Sequence, residues 1–152
     1  MTSTQTAPVE RRASSLDKLA TLLETRTETL TLFSQLAGCR PFQPNGEVQS
    51  LIQAFCETLV DYTASAHFQL YRFIEEDAER RTEVRKIAEN IYPEIAASTR
   101  FILDFNEKYD CEDHCDNLSN LEQDLSKLGE VLADRISLED QVISTLNAQR
   151  MS

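Results

Sequence analysis

From Gly38 to Gly46 the chain reads GCRPFQPNG, and this stretch holds two of its three glycines and two of its four prolines. Proline lacks the N–H that a helix needs and its ring clashes with the preceding turn, so no helix crosses here. Only Pro8, Pro93 and Gly129 punctuate the rest. Punctuation this sparse suits long helices and leaves too few turns for a many-stranded sheet. The chain therefore reads as all-α, and its 152 residues suffice for one domain that buries a core without staples.

Residues 1–14, rich in Ser, Thr and Ala and without periodicity, read as a flexible N-terminal tail ahead of a single helical domain over 15–152. Ser15 is placed to cap the first helix, whose face is Leu16, Leu19, Leu23, Leu30, Ser34 and Ala37 before Gly38 ends it. The second helix runs from about Glu47 to Glu76. Its core stripe is Ile52, Phe55, Leu59, Tyr62, Thr63, Ala66, Leu70 and Phe73. After the charged run EEDAERRTEVRK, the apolar positions Ile87, Ile91, Ile95, Ile102 and Tyr109 keep one phase across Pro93. That pattern is read as a short helix followed by a restart with Pro93 in its first turn. In the last helix, with Asp116 as its expected N-cap, the core positions are Leu118, Leu121, Leu125, Leu128, Leu132, Ile136, Glu139, Val142 and Leu146. Long amphipathic segments without a strand signal predict an antiparallel four-helix bundle with a short extra helix before the third long helix.

The second helix carries another stripe opposite the first: Glu57, Asp61, Ala64, Phe68, Arg72 and Glu75, again three and four apart. A large aromatic in a polar row is expected to be exposed. Single exposed apolar residues are ordinary, yet an aromatic flanked by small and charged residues is also the form of a protein-binding anchor.

The formal charge is −11, and Glu112 to Asp140 holds nine acidic residues against two basic ones. Holding nucleic acid needs clustered Lys and Arg, so direct binding to DNA or RNA is disfavoured and a basic protein partner is favoured. Acidic faces also serve simply to solvate a protein. The opening MTSTQTAPVERR is polar and no run approaches the roughly 20 apolar residues of a membrane helix, so a cytoplasmic protein without membrane contact is expected. Its four cysteines are then expected to be reduced thiols, Cys56 acting as a small hydrophobe on the flank of the core.

No catalytic constellation stands out, and neither an enzyme nor a cofactor is expected. A di-iron bundle needs a Glu-x-x-His pair on each of two helices, and the chain has two histidines in all. Cys111, His114 and Cys115 offer at most three compact ligands with no second half, so no metal site is expected. His67, at the edge of the core stripe, occupies the place of a phosphate acceptor in a histidine phosphotransfer module, the alternative function for this chain. The residues that follow, Phe68, Gln69, Leu70 and Tyr71, supply neither a basic group nor easy access. A structural polar core is the preferred role: His67 facing Glu139 or Asp140, with Arg135 paired to Glu139 one turn away.

Phe55-Cys56, Leu59-Val60-Asp61-Tyr62, Ala66-His67-Phe68 and Tyr71, then Tyr92-Pro93 with Thr99, then Leu125-Ser126, Gly129, Leu132 and Leu138-Glu139-Asp140 resemble the Rsd/AlgQ family of regulators of the bacterial housekeeping sigma factor. The likeness covers about Leu22 to Leu146, with a weaker echo in Arg26, Leu30 and Leu36-Ala37-Gly38. It implies a helical anti-sigma factor that binds region four of sigma, the module that reads the −35 promoter element and docks on core RNA polymerase. The family's contact surface includes the second helix, and its Asp and Phe fall on Asp61 and Phe68. Phe68 would be the apolar anchor, Asp61 and Glu57 the partners of basic sigma residues, and Ala64 the small residue that permits close approach. Tyr71 and Arg72 would belong to the same surface.

Overall fold

The GCRPFQPNG stretch is the loop between the first two helices. The first, α1 (Ser3–Ala37), ends one residue short of Gly38. The N–H groups of Gly38 and Cys39 close it on the carbonyls of Ser34 and Leu36, each at 3.0 Å. The second, α2 (Gly46–Ala66), starts beyond Asn45, whose side chain accepts the Val48 N–H at 2.9 Å and caps the helix. A five-residue π-helical segment, His67–Tyr71, continues it. After these come α3 (Thr82–Tyr109) and α4 (Leu121–Met151). The computed structural model describes residues 3–71, 82–110 and 118–151, with side chains from Leu19 on except those of residues 71, 83, 84, 88 and 146–151. All regular structure among the described residues is helical.

Three helix starts differ from expectation. One is α4, which begins at Leu121 after a turn closed by the Leu121 N–H on the Leu118 carbonyl at 3.2 Å, too far along for Asp116 to cap it. The backbone of α1 is helical from Ser3, so Ser15 does not cap it. Glu10 to Ala13 propagate a helix well, and a serine in its interior costs at most about 0.7 kcal/mol, too little to stop it. Nor is there a short helix ending at Pro93: α3 runs unbroken through it. Pro93 and Glu89 are both exposed, so the carbonyl left without its helical partner lies on the water side, where solvent satisfies it.

The core stripe of α2 is buried as expected from Ile52 to Leu70, while Phe73 lies outside the described residues. The face of α1 is rotated from the expected one. Leu19, Leu22, Thr29 and Leu36 are buried, whereas Leu23 and Leu30 are each 39% exposed. Leucines occupy both sides of this helix, and the polar residues that share its inner face, Arg26 and Thr29, find partners there. In α4 the buried line passes through Arg135 instead of Ile136, continuing to Glu139 and Val142.

Cross-helix contacts fix how these faces meet. Phe33 of α1 packs on Phe55 of α2 (ring centroids 6.0 Å), and the Thr29 hydroxyl donates to the Thr58 carbonyl at 3.3 Å. Phe55 meets Phe105 of α3 edge-on at 6.0 Å. At the far end of α3, Lys108 and the Tyr109 hydroxyl both donate to Asp124 of α4, at 2.7 and 2.5 Å. Burial alone would raise the Asp124 carboxyl, but these two donors outweigh it and hold the group below the ordinary carboxylate range. Burial, with Asp110 and Glu57 nearby, pushes the Cys56 thiol up to about 12 and keeps it neutral.

Gly129 is where α4 makes room for α1, since a Cβ there would stand 2.9 Å from the Phe33 ring. Gly129→Ala should therefore destabilise despite a helix-propensity gain of about 1 kcal/mol, because overpacking costs about 1–3 kcal/mol. A lower urea midpoint, partly restored by Phe33→Leu in the same chain, is the expected result. An unchanged midpoint would mean that the ring moves aside freely.

Candidate functional site

Glu139 and Arg135, on successive turns of α4, are 0% and 1% exposed. Charges so deeply buried need partners, and these have them from every helix. Glu139 accepts the Tyr62 hydroxyl of α2 at 2.6 Å on Oε1 and the Arg135 Nε–H at 3.2 Å on Oε2. Arg135 donates from its other side to Ser98 (2.9 Å) and Thr99 (2.7 Å) of α3, and its guanidinium lies 5.7 Å from the Tyr62 ring centroid. Arg26 of α1 stands 3.5 Å from Glu139 Oε1 and donates to Asp140 at 2.9 Å.

His67 does not join this cluster, contrary to expectation. One residue past the fully buried Ala66, it is turned about 100° away along the helix and is exposed. Its ring lies edge-on to Phe68 with centroids 5.2 Å apart. Arg26, Tyr62, Ser98 and Thr99 were not expected as polar partners. Arg135 repeating on the buried phase between Leu132 and Glu139 is the signal that could have pointed to them.

The outer stripe of α2 is exposed. Glu57, Asp61 and Ala64 face solvent and Phe68 is 63% exposed. The Tyr71 side chain and all of Arg72 lie outside the described residues, as do Cys111, His114 and Cys115. Phe68 sits in the π-helical segment, which inserts one extra residue into a helical turn; such segments recur at functional sites. Beside it a groove of about 470 Å³ runs between α2 and α3, almost wholly apolar. Val60, Ala64 and Phe68 form one wall, and Tyr92, Ala96 and Leu103 the other. Leu103 is 48% exposed and Val60 39%. None of the three α3 wall residues was anticipated as part of a site: Leu103 stands one residue past the buried phase, where periodicity reads only a stray exposed leucine.

Among the described residues no group of His, Cys, Asp and Glu side chains is placed to hold a metal ion, and no helix is long and apolar enough to cross a membrane. The family described as Regulator of RNA polymerase sigma(70) subunit, Rsd/AlgQ, matches residues 1–147. The chain belongs to the Rsd/AlgQ family. As an Rsd/AlgQ protein it is a regulatory binding protein and not an enzyme. Regulator of sigma D from Yersinia enterocolitica serotype O:8 is 30% identical over 125 residues, covering 80% of this chain and 75% of that protein. The protein of the same name from Shigella dysenteriae serotype 1 is 32% identical over 128 residues, with 80% and 78% covered. No solved structure matches.

Two sets of variants separate the inner and outer faces of this Rsd/AlgQ chain. Glu139→Ala leaves the Arg135 charge buried with one partner fewer and should cost about 3–5 kcal/mol in urea unfolding. Tyr62→Phe should cost about 1–2 kcal/mol. The double replacement Arg135→Met with Glu139→Leu should cost less than Glu139→Ala alone; an equal or larger loss would show that the pair stabilises the fold outright. On the outer face, Phe68→Ala should leave the melting temperature nearly unchanged, whereas truncating a core phenylalanine costs about 3–5 kcal/mol.

Proposed function

We propose that this chain is an anti-sigma factor. It binds region four of the housekeeping sigma factor and blocks the contacts of that module with core RNA polymerase and the −35 promoter element. The observation that carries this reading is the outer stripe of α2, an aromatic 63% exposed in line with the exposed acids Glu57 and Asp61. Membership in a family of sigma(70) regulators, with relatives named for regulating sigma D, supports the same partner.

The physics suits it. A module that holds DNA by helix-turn-helix contacts must be basic, and a chain of net charge −11 can cover that surface by complementary charge. Phe68 is the apolar anchor, Asp61 and Glu57 pair with basic sigma residues, and Ala64 lets the partner approach closely. Tyr71 and Arg72 are assigned to the same surface by the family likeness. The helices that present it are read as an antiparallel four-helix bundle. In support, Phe33 pairs with Phe55, Phe55 with Phe105 and Tyr109 with Asp124, each pair joining the later part of one helix to the earlier part of the next or the reverse.

Titrating region four against wild type, Asp61→Ala and Asp61→Lys tests the assignment. Loss of a partly desolvated partner for a sigma cation should weaken binding by about 2 kcal/mol or more in Asp61→Ala. Glu122→Lys, an exposed charge reversal at the start of α4, should shift it by no more than about 0.5 kcal/mol. Equal weakening by Asp61→Lys and Glu122→Lys would mean that only net charge matters. Added salt should slow association more than it speeds dissociation.

A further inference from the structure

The groove between α2 and α3 constrains what can lie in it more tightly than the outer stripe does. Its walls rise at the ends and dip in the middle: Phe68 and Val60 flank Ala64 on α2, and Tyr92 and Leu103 flank Ala96 on α3. Along these walls the groove extends roughly 12 Å on α2 and roughly 16 Å on α3 at 1.5 Å per residue. That is room for two to three turns of a rod laid across small residues, the way helices pack ridge into groove.

Hydrogen bonding selects the rod. Both walls are helices, whose backbone groups pair within the helix apart from the one carbonyl that Pro93 leaves to solvent, so neither offers the open edge that an extended strand would need. The polar side chains at the floor are engaged as well. Thr63 donates to the Leu59 carbonyl at 2.7 Å, and Arg135 is held by Glu139, Ser98 and Thr99. A segment entering so apolar a groove must satisfy its own backbone, which among short elements only an α-helix does. Acidic side chains flank the helices on the solvent side, Glu57 and Asp61 exposed on α2 and Glu89 exposed on α3, while Asp104 of α3 is already paired with Arg100 at 3.6 Å.

We infer that the groove seats one amphipathic helix of region four, two to three turns long. Its apolar ridge at i, i+3 or i+4 and i+7 lies between Ala64 and Ala96, and its basic residues face Glu57, Asp61 and Glu89. The inference rests on the anti-sigma reading and adds to it the α3 wall, with Leu103 as a second anchor opposite Phe68.

Isolated region four, titrated against the full chain carrying Leu103→Ala or Ala96→Trp, tests this. Both positions are exposed, so thermal melts should match wild type. Removing the anchor or filling the dip should each weaken binding about tenfold or more. On methyl-labelled region four, the shifted resonances should fall at helical spacing within one segment. If region four binds wild type and both groove variants alike while Asp61→Ala still weakens it, the groove is not the seat and the anti-sigma reading survives. If shifted methyls line an extended stretch, the occupant is not a helix. If region four fails to bind wild type, the anti-sigma reading itself falls and this inference with it.

Discussion

The described helices meet around a carboxylate and a guanidinium that water does not reach. Glu139 and Arg135 draw a partner from each of α1, α2 and α3, through Arg26, Tyr62 and the Ser98–Thr99 pair. A buried ion pair is poor evidence for stability, because desolvation offsets most of its attraction and a well-packed apolar replacement is often as good. Its geometric demand is strict all the same. Rotate any one helix by a single residue and a buried charge loses a partner, whereas leucines against leucines tolerate such slips.

That demand reaches the outer face through adjacent residues. Tyr62 points inward to Glu139, so Asp61, one residue earlier, is turned outward. Thr99, bonded to Arg135, lies one turn from Leu103 along α3, and both border the groove. The spacing of the two groove walls is thus set from beneath by hydrogen bonds, and the exposed apolar residues above stand on a rigid base. Preorganisation of this kind lowers the ordering cost of association, which otherwise consumes much of the energy an interface supplies.

Much of this was legible in the sequence where one kind of residue repeats on one face. The core stripe of α2, its exposed counter-stripe with Phe68, and the stop at Gly38 follow from helical spacing and proline chemistry alone. Periodicity failed where polar residues sit inside. On α1 it chose Leu23 and Leu30 over a face containing Arg26 and Thr29, and on α4 it put Ile136 on the core line and brought Arg135 in only as the partner of Glu139. In both cases a polar residue is buried because of partners on other helices, which a one-helix pattern cannot contain. The same limit explains His67, whose position beside the core stripe suggested a polar partner that other groups already supply. Pro93 misled for a different reason, since its cost depends on which side of the helix faces water. The groove was out of reach because it belongs to two helices at once, and the Rsd/AlgQ likeness pointed to only one of its walls.

The most direct measurement is amide hydrogen exchange of the full chain with and without saturating region four. Slowed exchange centred on Val60 to Phe68 and on Tyr92 to Leu103, with the start of α4 around Leu121 to Leu128 unchanged, is the predicted result. Protection confined to α4, or none on α2 and α3 at saturation, would contradict the assignment of this face as the sigma-binding surface.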